Sequence, residues 1–528
     1  MPTVEGQSTT KRVYPLHDNM LGGVQTTLPA HLLGPDQWRT QHNWRLTPQL
    51  EQVLRKIEFD TIGSDDIRFL GTIPLGNGYG KTLVFTPTSV TNLSGDAFVT
   101  GLNDDSAFRR WAVAPYNSTF YYCNELNSVR RNSGTLDSAI SGAPSGRYLC
   151  FWYDHLVVGY PTFKSVVSPN RVMISDLGNF DGDARWTPTK TNEADYYDFL
   201  EWQLTDYPFV GVTGIGKLRG LLWVYTPTAL IPLSYVGLPK IIKVEDEGII
   251  TRVGNTFPWT LVCLDQVHFF YDGIEQMFWA FDGQQLTPIG DPVRKYLQTN
   301  LNPSPALASK MYGYIDVDNR EIWWPFVSTK STGDFDLAVV FNYRYKKWYT
   351  ASVENVQCFC GGARRVLDVG ELTGTVEDLV GDCGSLGLEA GSPRLFGSGE
   401  GKLLREEVEG DDTEELLGQD NPVLESADFH YGDIRATKEN DVMVINAVWD
   451  VEQNPDGKIV VTVNGREFLG VEPEFEEGGE WTQELQDGIL TYTTKAGRVF
   501  RYRFETSGTR RAVFSAFSES VYAKRAEK

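Results

Sequence analysis

The stretch of this chain nearest in type to a phosphate-binding loop is Gly76–Thr82, GNGYGKT. A Walker A loop carries four residues between its glycines, so that backbone N–H groups wrap a phosphate and a helix N-terminus follows. Here three residues separate Gly76 from Gly80, Leu75 stands where the leading glycine belongs, and Thr82–Pro87 reads as a strand ending at proline. A hairpin turn is the expectation. The six cysteines, Cys123, Cys150, Cys263, Cys358, Cys360 and Cys383, are too few and too scattered for a disulfide framework. Cys358-Phe-Cys360 has the spacing of half a metal clamp, but residues two apart on a strand merely share a face. No second Cys/His pair with zinc-like spacing follows. None of the six histidines (His17, His31, His42, His155, His268, His430) belongs to an HExxH. Gly397-Ser398-Gly399 sits in a turn-rich linker and makes no nucleophile elbow.

Carboxylates are the remaining candidates. Ser175–Trp186, SDLGNFDGDARW, resembles the Asp-box of sialidase-like propellers, Ser-x-Asp-x-Gly-x-x-Trp, only in its middle, Asp176-Leu177-Gly178. Ile174 takes the serine position and Asp181 the tryptophan position. Asp181, Asp183, Asp195 and Asp198 would be the acids of a glycosidase, whose chemistry needs a facing pair. On propeller loops such residues are ordinary turn residues. No catalytic, cofactor-binding or metal-ligating residue is therefore assigned, no cofactor is expected, and the chain is not read as an enzyme.

The elements that would position any of these groups are strands. A chain of 528 residues buries a large core in two or three domains. Aromatics at 12% with 51 Gly and 26 Pro suit an all-β protein rich in turns. No apolar run reaches the ~18 residues of a spanning helix. The opening MPTVEGQSTTKR has no apolar h-region and predicts synthesis in the cytosol, so the sequons at Asn92 and Asn117 carry no meaning. The net charge of −22 argues against a surface that grips nucleic acid by its phosphates; an acidic wall suits a conduit through which DNA slides.

Leu261–Gly290 sets the pattern: the aromatic strand Val267–Tyr271, a turn at Asp272-Gly273, the strand Gln276–Phe281, and a second turn at Asp282-Gly283. Met311–Val327 repeats the scheme, and Lys217–Thr226 supplies an earlier inner strand. Trp223, Trp279 and Trp323 recur at the spacing of propeller blades and are expected on corresponding strands. The fold class read from these signals is all-β: a β-propeller of about six blades at 65–365, an extended arm at 1–64, an acidic linker or insertion at 366–425, and a β-sandwich-like domain at 426–528. Within the arm, Thr47–Ile57 has a helical pattern, with Thr47 at the cap and Pro48 in the first turn. Glu400–Asp428 carries 11 acidic residues against 2 basic ones, the composition of a solvated or disordered loop. In the last part, Asn454-Pro-Asp-Gly457 and Asn464-Gly465 read as turns.

One order of segments resembles a known family. Ser175–Trp202 is followed by a Gly-turned hairpin ending at Leu221–Tyr235, then Val267–Leu297, then YGYIDVDNREIWWPFV…LAVVFNYRYKKWY. This is similar to the propeller of the tail nozzle proteins of short-tailed bacteriophages, also called tail tubular protein B or packaged-DNA stabilisation protein. Ala496–Ser520 resembles their terminal β-domain, and LGGVQTTLP…QWRTQHNW…LEQVLRKIEF their arm. The acidic stretch 366–425 has no counterpart. The resemblance implies a virion protein of the tail, made in the host cytoplasm and acting as a homohexameric ring. That ring would adjoin a portal-proximal adaptor and tail fibre or needle proteins, and viral double-stranded DNA would pass through its lumen without specific binding. The alternatives are a propeller glycan hydrolase or depolymerase, and a tail or baseplate adaptor module outside the channel.

Overall fold

A computed structural model describes residues 11–15, 21–54, 56–74, 80–93, 95–103, 110–199, 211–353, 356–360, 395–406, 421–431, 437–448, 458–466, 476–482, 489–491, 496–507 and 512–523. Its strands are apolar on both sides, and this dictates how they pack. In His155–Phe163, Leu156 and Val158 enter one buried cluster while Val157 enters the next. In Leu221–Tyr225, Leu222 and Val224 face one way and Trp223 and Tyr225 the other. A sheet of such strands must be covered on both faces, and a closed ring of sheets does that with every sheet covering its neighbours.

Seven antiparallel blades form the ring. The first holds Phe69–Pro74, Gly80–Phe85, Ser89–Thr91 and Ala97–Thr100, and the second Ala112–Tyr116, Thr119–Cys123, Arg130–Asn132 and Asp137–Ala139. Ser145–Trp152, His155–Phe163, Arg171–Ile174 and Asp195–Asp198 make the third, and Gly214–Leu218, Leu221–Tyr225, Ala229–Tyr235 and Ile242–Val244 the fourth. The fifth is Val262–Cys263, His268–Asp272, Met277–Phe281 and Leu286–Pro288; the sixth is Tyr314–Asp316, Glu321–Phe326, Leu337–Asn342 and Lys347–Ser352. The seventh combines Val356–Cys360, Leu395–Ser398 and Lys402–Glu406 with Lys56–Thr61 from the arm. Each junction between blades, among the described residues, is filled by its own apolar cluster. At the junction of blades five and six, Phe278, Trp324 and Trp348 pack with centroids 4.5 to 5.6 Å apart. The first strands approach closely enough to need glycine: a Cβ on Gly216 would stand 2.6 Å from Cys263 Sγ.

The arm is woven into the molecule. Trp38–His42 pairs in parallel with the outer strand of blade six at His42↔Thr350, and antiparallel with Val423–Ser426 on its other side. The sheet of blade six thus runs on through Val423–Ser426, Val499–Ser507, Lys458–Arg466 and Glu476–Thr482. A separate C-terminal sheet is built on Lys438–Val448 and Val513–Ala523, joined by Lys11–Pro15, Trp44–Leu46, Leu50–Gln52, Ile489–Thr491 and Ala496–Gly497. One core cluster holds Trp38, Trp44, Leu50, Met443, Val461, Tyr502 and Phe514 together with Trp323 and Tyr349 of blade six.

Several expectations change. The blades number seven, because the last joins Val356–Cys360 to two strands inside the acidic stretch 366–425, Leu395–Ser398 and Lys402–Glu406, and to Lys56–Thr61 of the arm. One sheet therefore crosses both the 64/65 and the 365/366 boundaries. Thr47–Ile57 is not helical: Trp44–Leu46 and Leu50–Gln52 form a hairpin across Thr47, whose Oγ1 accepts from Gln49 N at 3.2 Å. Burial of Trp44, Leu46 and Leu50 decides that competition. Trp223 and Trp323 lie on second strands, but Trp279 lies on a third strand, and Phe270 faces it from the second. Asp272-Gly273 opens a four-residue turn whose left-handed residue is Gln276 (φ 51°), because Asp272 accepts from Ile274 N and Glu275 N. Asn464-Gly465 is mid-strand, opposite Arg501 and Phe500. The ten-residue helix Asp291–Asn300, with proline in its first turn, is an element that the strand-based reading missed.

Candidate functional site

The residues with the makings of chemistry are distributed around the ring and serve as structure. Phe69–Pro74 pairs with Gly80–Phe85 from Pro74↔Gly80 onward, so GNGYGKT falls at a hairpin, with residues 75–79 outside the described set. Asp176 organises the loop after Arg171–Ile174: it accepts from Leu177 N at 3.1 Å and Glu193 N at 2.9 Å, and pairs with Arg185 at 2.7 Å. Although burial opposes its ionisation, these donors together hold the Asp176 carboxyl below its usual range. Trp186 is buried and donates to Phe180 O at 2.9 Å. Asp181 pairs with Arg131 at 3.4 Å, and Asp183 lies 3.9 Å from Lys164. Asp195 accepts from Ile241 N and Ile242 N, and Asp198 holds Arg171 through two bonds of 2.7 Å. Asp176, Asp183 and Asp198 tie together parts of blade three, whereas Asp181 and Asp195 reach across to blades two and four.

His268 is fully buried between blades four and five. Its Nε2 lies 3.1 Å from Lys217 O, a group that only accepts, so Nε2 carries the proton and Nδ1 accepts from Tyr225 OH at 2.7 Å. Burial lowers its pKa to about 4, leaving a neutral ring. His42 bridges Thr350 and Ser352 at 3.0 Å each, across the junction of arm and blade six. Cys358 packs between blades seven and one, and burial pushes the Cys123 thiol up to about 12. Among the described residues no group of His, Cys, Asp and Glu stands where it would hold a metal ion.

Two buried ionic knots fasten the arm and the C-terminal part. Arg45 lies 3.3 Å from Glu321 of blade six and 3.7 Å from Glu406 of blade seven. Burial opposes its charge, but the carboxylates and the Tyr349 phenol prevail and raise its pKa. Arg501 binds Glu425 at 3.0 Å and Asp428 at 2.8 Å, so two acids of the Glu400–Asp428 run are spent inside the molecule. Neither knot carries a sequence motif, since its members lie hundreds of residues apart or on opposite strands.

A surface cleft of about 220 Å³ opens where the arm crosses the helix Asp291–Asn300 and blade six. Val24, Thr26, Arg39, Thr40, Lys295, Tyr296, Thr299, Asn300 and Thr350 line it. The arm is pinned there by Thr26 N to Pro292 O at 2.7 Å and by Arg39 Nη1 to Thr26 O at 2.7 Å. No sequence pattern marks this cleft, because the arm and the helix that form it meet across a separation of 266 residues at Thr26 and Pro292.

No family model matches the chain, and no curated protein matches it in sequence. Solved structures similar to it include YCF48 bound to a D1 peptide, at 11% identity and a TM-score of 0.33, covering 67% of this chain and 96% of that one. BamB from Moraxella catarrhalis has 8% identity and a TM-score of 0.33, over 68% of this chain and 97% of its own. PorZ, a type-IX secretion component of Porphyromonas gingivalis, has 8% identity and a TM-score of 0.34, over 72% of this chain and 43% of its own. Likenesses this distant carry no argument about activity or partners.

Proposed function

We propose that this chain is a non-catalytic structural component of a virion, the tail nozzle of a short-tailed bacteriophage. The observation that carries the reading is the continuity of one sheet from blade six through Trp38–His42 into the C-terminal strands. Together with the N-terminal strand that completes blade seven, it makes propeller and C-terminal part a single stiff body. Such a body suits a wall that holds pressurised DNA, and the order of segments resembles that of nozzle proteins. In this reading the C-terminal sheet, facing the strands that extend blade six, is a sandwich-like domain. Six copies form a closed ring next to the portal-proximal adaptor, with tail fibre or needle proteins beyond it. DNA passes through the lumen without a specific site. Ring closure multiplies every lumen-facing charge by the copy number, so an excess of carboxylates keeps friction low.

Electron cryo-microscopy of the purified protein, and of the particle that carries it, is the test. Six-fold class averages with a central channel wide enough for a duplex are expected. A monomer, or a module bound outside the channel, would replace the nozzle reading with that of an adaptor.

A further inference from the structure

In a molecule with 70 acidic and 48 basic side chains, the cleft between arm and helix has an unusual lining. Its charged residues are both basic, Arg39 and Lys295, and no carboxylate is among them. The nearest acid in hydrogen-bond terms is Glu425, 3.5 Å from Thr40 Oγ1, and it is already bound to Arg501 at 3.0 Å. Arg39 spends Nη1 on Thr26 O and Leu28 O, which fixes the guanidinium and leaves its other N–H groups undirected. Among the described residues, neither Arg39 nor Lys295 forms an ion pair. Thr26 and Thr299 spend their hydroxyl protons on Pro292 O and Lys295 O, so the charge of the site rests on the two cations. The C-terminal end of the helix opposes an anion with roughly half a charge, which two full cations outweigh.

We infer that this cleft is an anion site that takes one phosphate group, as inorganic phosphate or a phosphomonoester. A fixed arginine fork and a lysine point charge lining one cleft suit a phosphate dianion in charge and in the N–H donors they offer. The volume of about 220 Å³ lies under the roughly 300 Å³ at which drug-sized ligand sites begin, so the occupant is a small anion. The site stands apart from the nozzle reading, and either can fail without the other.

The test is titration of the full-length protein with inorganic phosphate at constant ionic strength, followed by calorimetry. Calorimetry is needed because phosphate stabilises proteins generally by exclusion. Saturable binding is expected, weakened at least about tenfold in Lys295→Glu and retained in Lys295→Arg. Lys295 is an exposed helix residue, and an unchanged circular dichroism melt shows that Lys295→Glu still folds; if it does not, Lys295→Gln takes its place. A phosphomonoester should compete, and a blunt DNA duplex without terminal phosphates should not. Absence of saturable binding, equal binding by the charge-reversed variant, or competition by the duplex would each overturn the assignment.

Discussion

At the scale of the residue, the groups with chemical potential are neutralised by their surroundings. His268 has its pKa lowered from 6.5 to about 4 by burial. Between those values the unfolded chain binds a proton that the native state refuses, so stability is full above pH 6.5 and falls as pH drops toward 4. The loss should reach up to about 3 kcal/mol. Urea melts at neutral and mildly acidic pH should show a shallower dependence in His268→Gln than in the parent; identical slopes would remove this account. Trp324 is fully buried and donates to Thr260 O at 3.0 Å across a blade junction. Trp324→Ala should cost about 3–5 kcal/mol in a denaturant melt, whereas substitution of exposed Leu177 should cost within about 0.5 kcal/mol.

Among the elements, the strands of the arm do the most joining. Lys56–Thr61 supplies the outer strand of blade seven, and Trp38–His42 the link from blade six to the C-terminal strands. Truncation before residue 62 removes both, and Arg45 with them. That variant should lose its cooperative melt and become sensitive to limited proteolysis within the propeller. Among the described residues, truncation before residue 21 removes only the Lys11–Pro15 edge strand on Val513–Ala523. It should leave the propeller melt unchanged. If both truncations melt like the full chain, the arm is not what closes the ring of blades.

For the whole molecule, the quantity to measure is how it meets DNA. The net charge of −22 repels phosphates, and in the C-terminal part Arg501 is spent inside the molecule on Glu425 and Asp428 while Arg503 pairs with Glu505 at the surface. Binding to a random duplex should therefore be weak and change little with salt. A steep loss of affinity as salt rises would mean several phosphate contacts, and the low-friction conduit would fail. The later acids Glu472, Glu474, Glu476, Glu477 and Glu480 fall on residues whose side chains lie outside the described set.

What the sequence determined by itself was local: strand type, turn positions such as GNGYGKT, and an all-β class with a propeller and a β C-terminal part. Those follow from patterns a few residues long. The helical look of Thr47–Ile57 misled because local propensity is worth tenths of a kcal/mol per residue, and burying Trp44, Leu46 and Leu50 is worth far more. Only the tertiary structure decided the blade number, the weaving of the arm, the two ionic knots and the basic cleft. Each joins residues far apart in the chain, such as Arg45 with Glu321 or Thr26 with Pro292. No periodicity records a contact whose partners are brought together only when the ring closes.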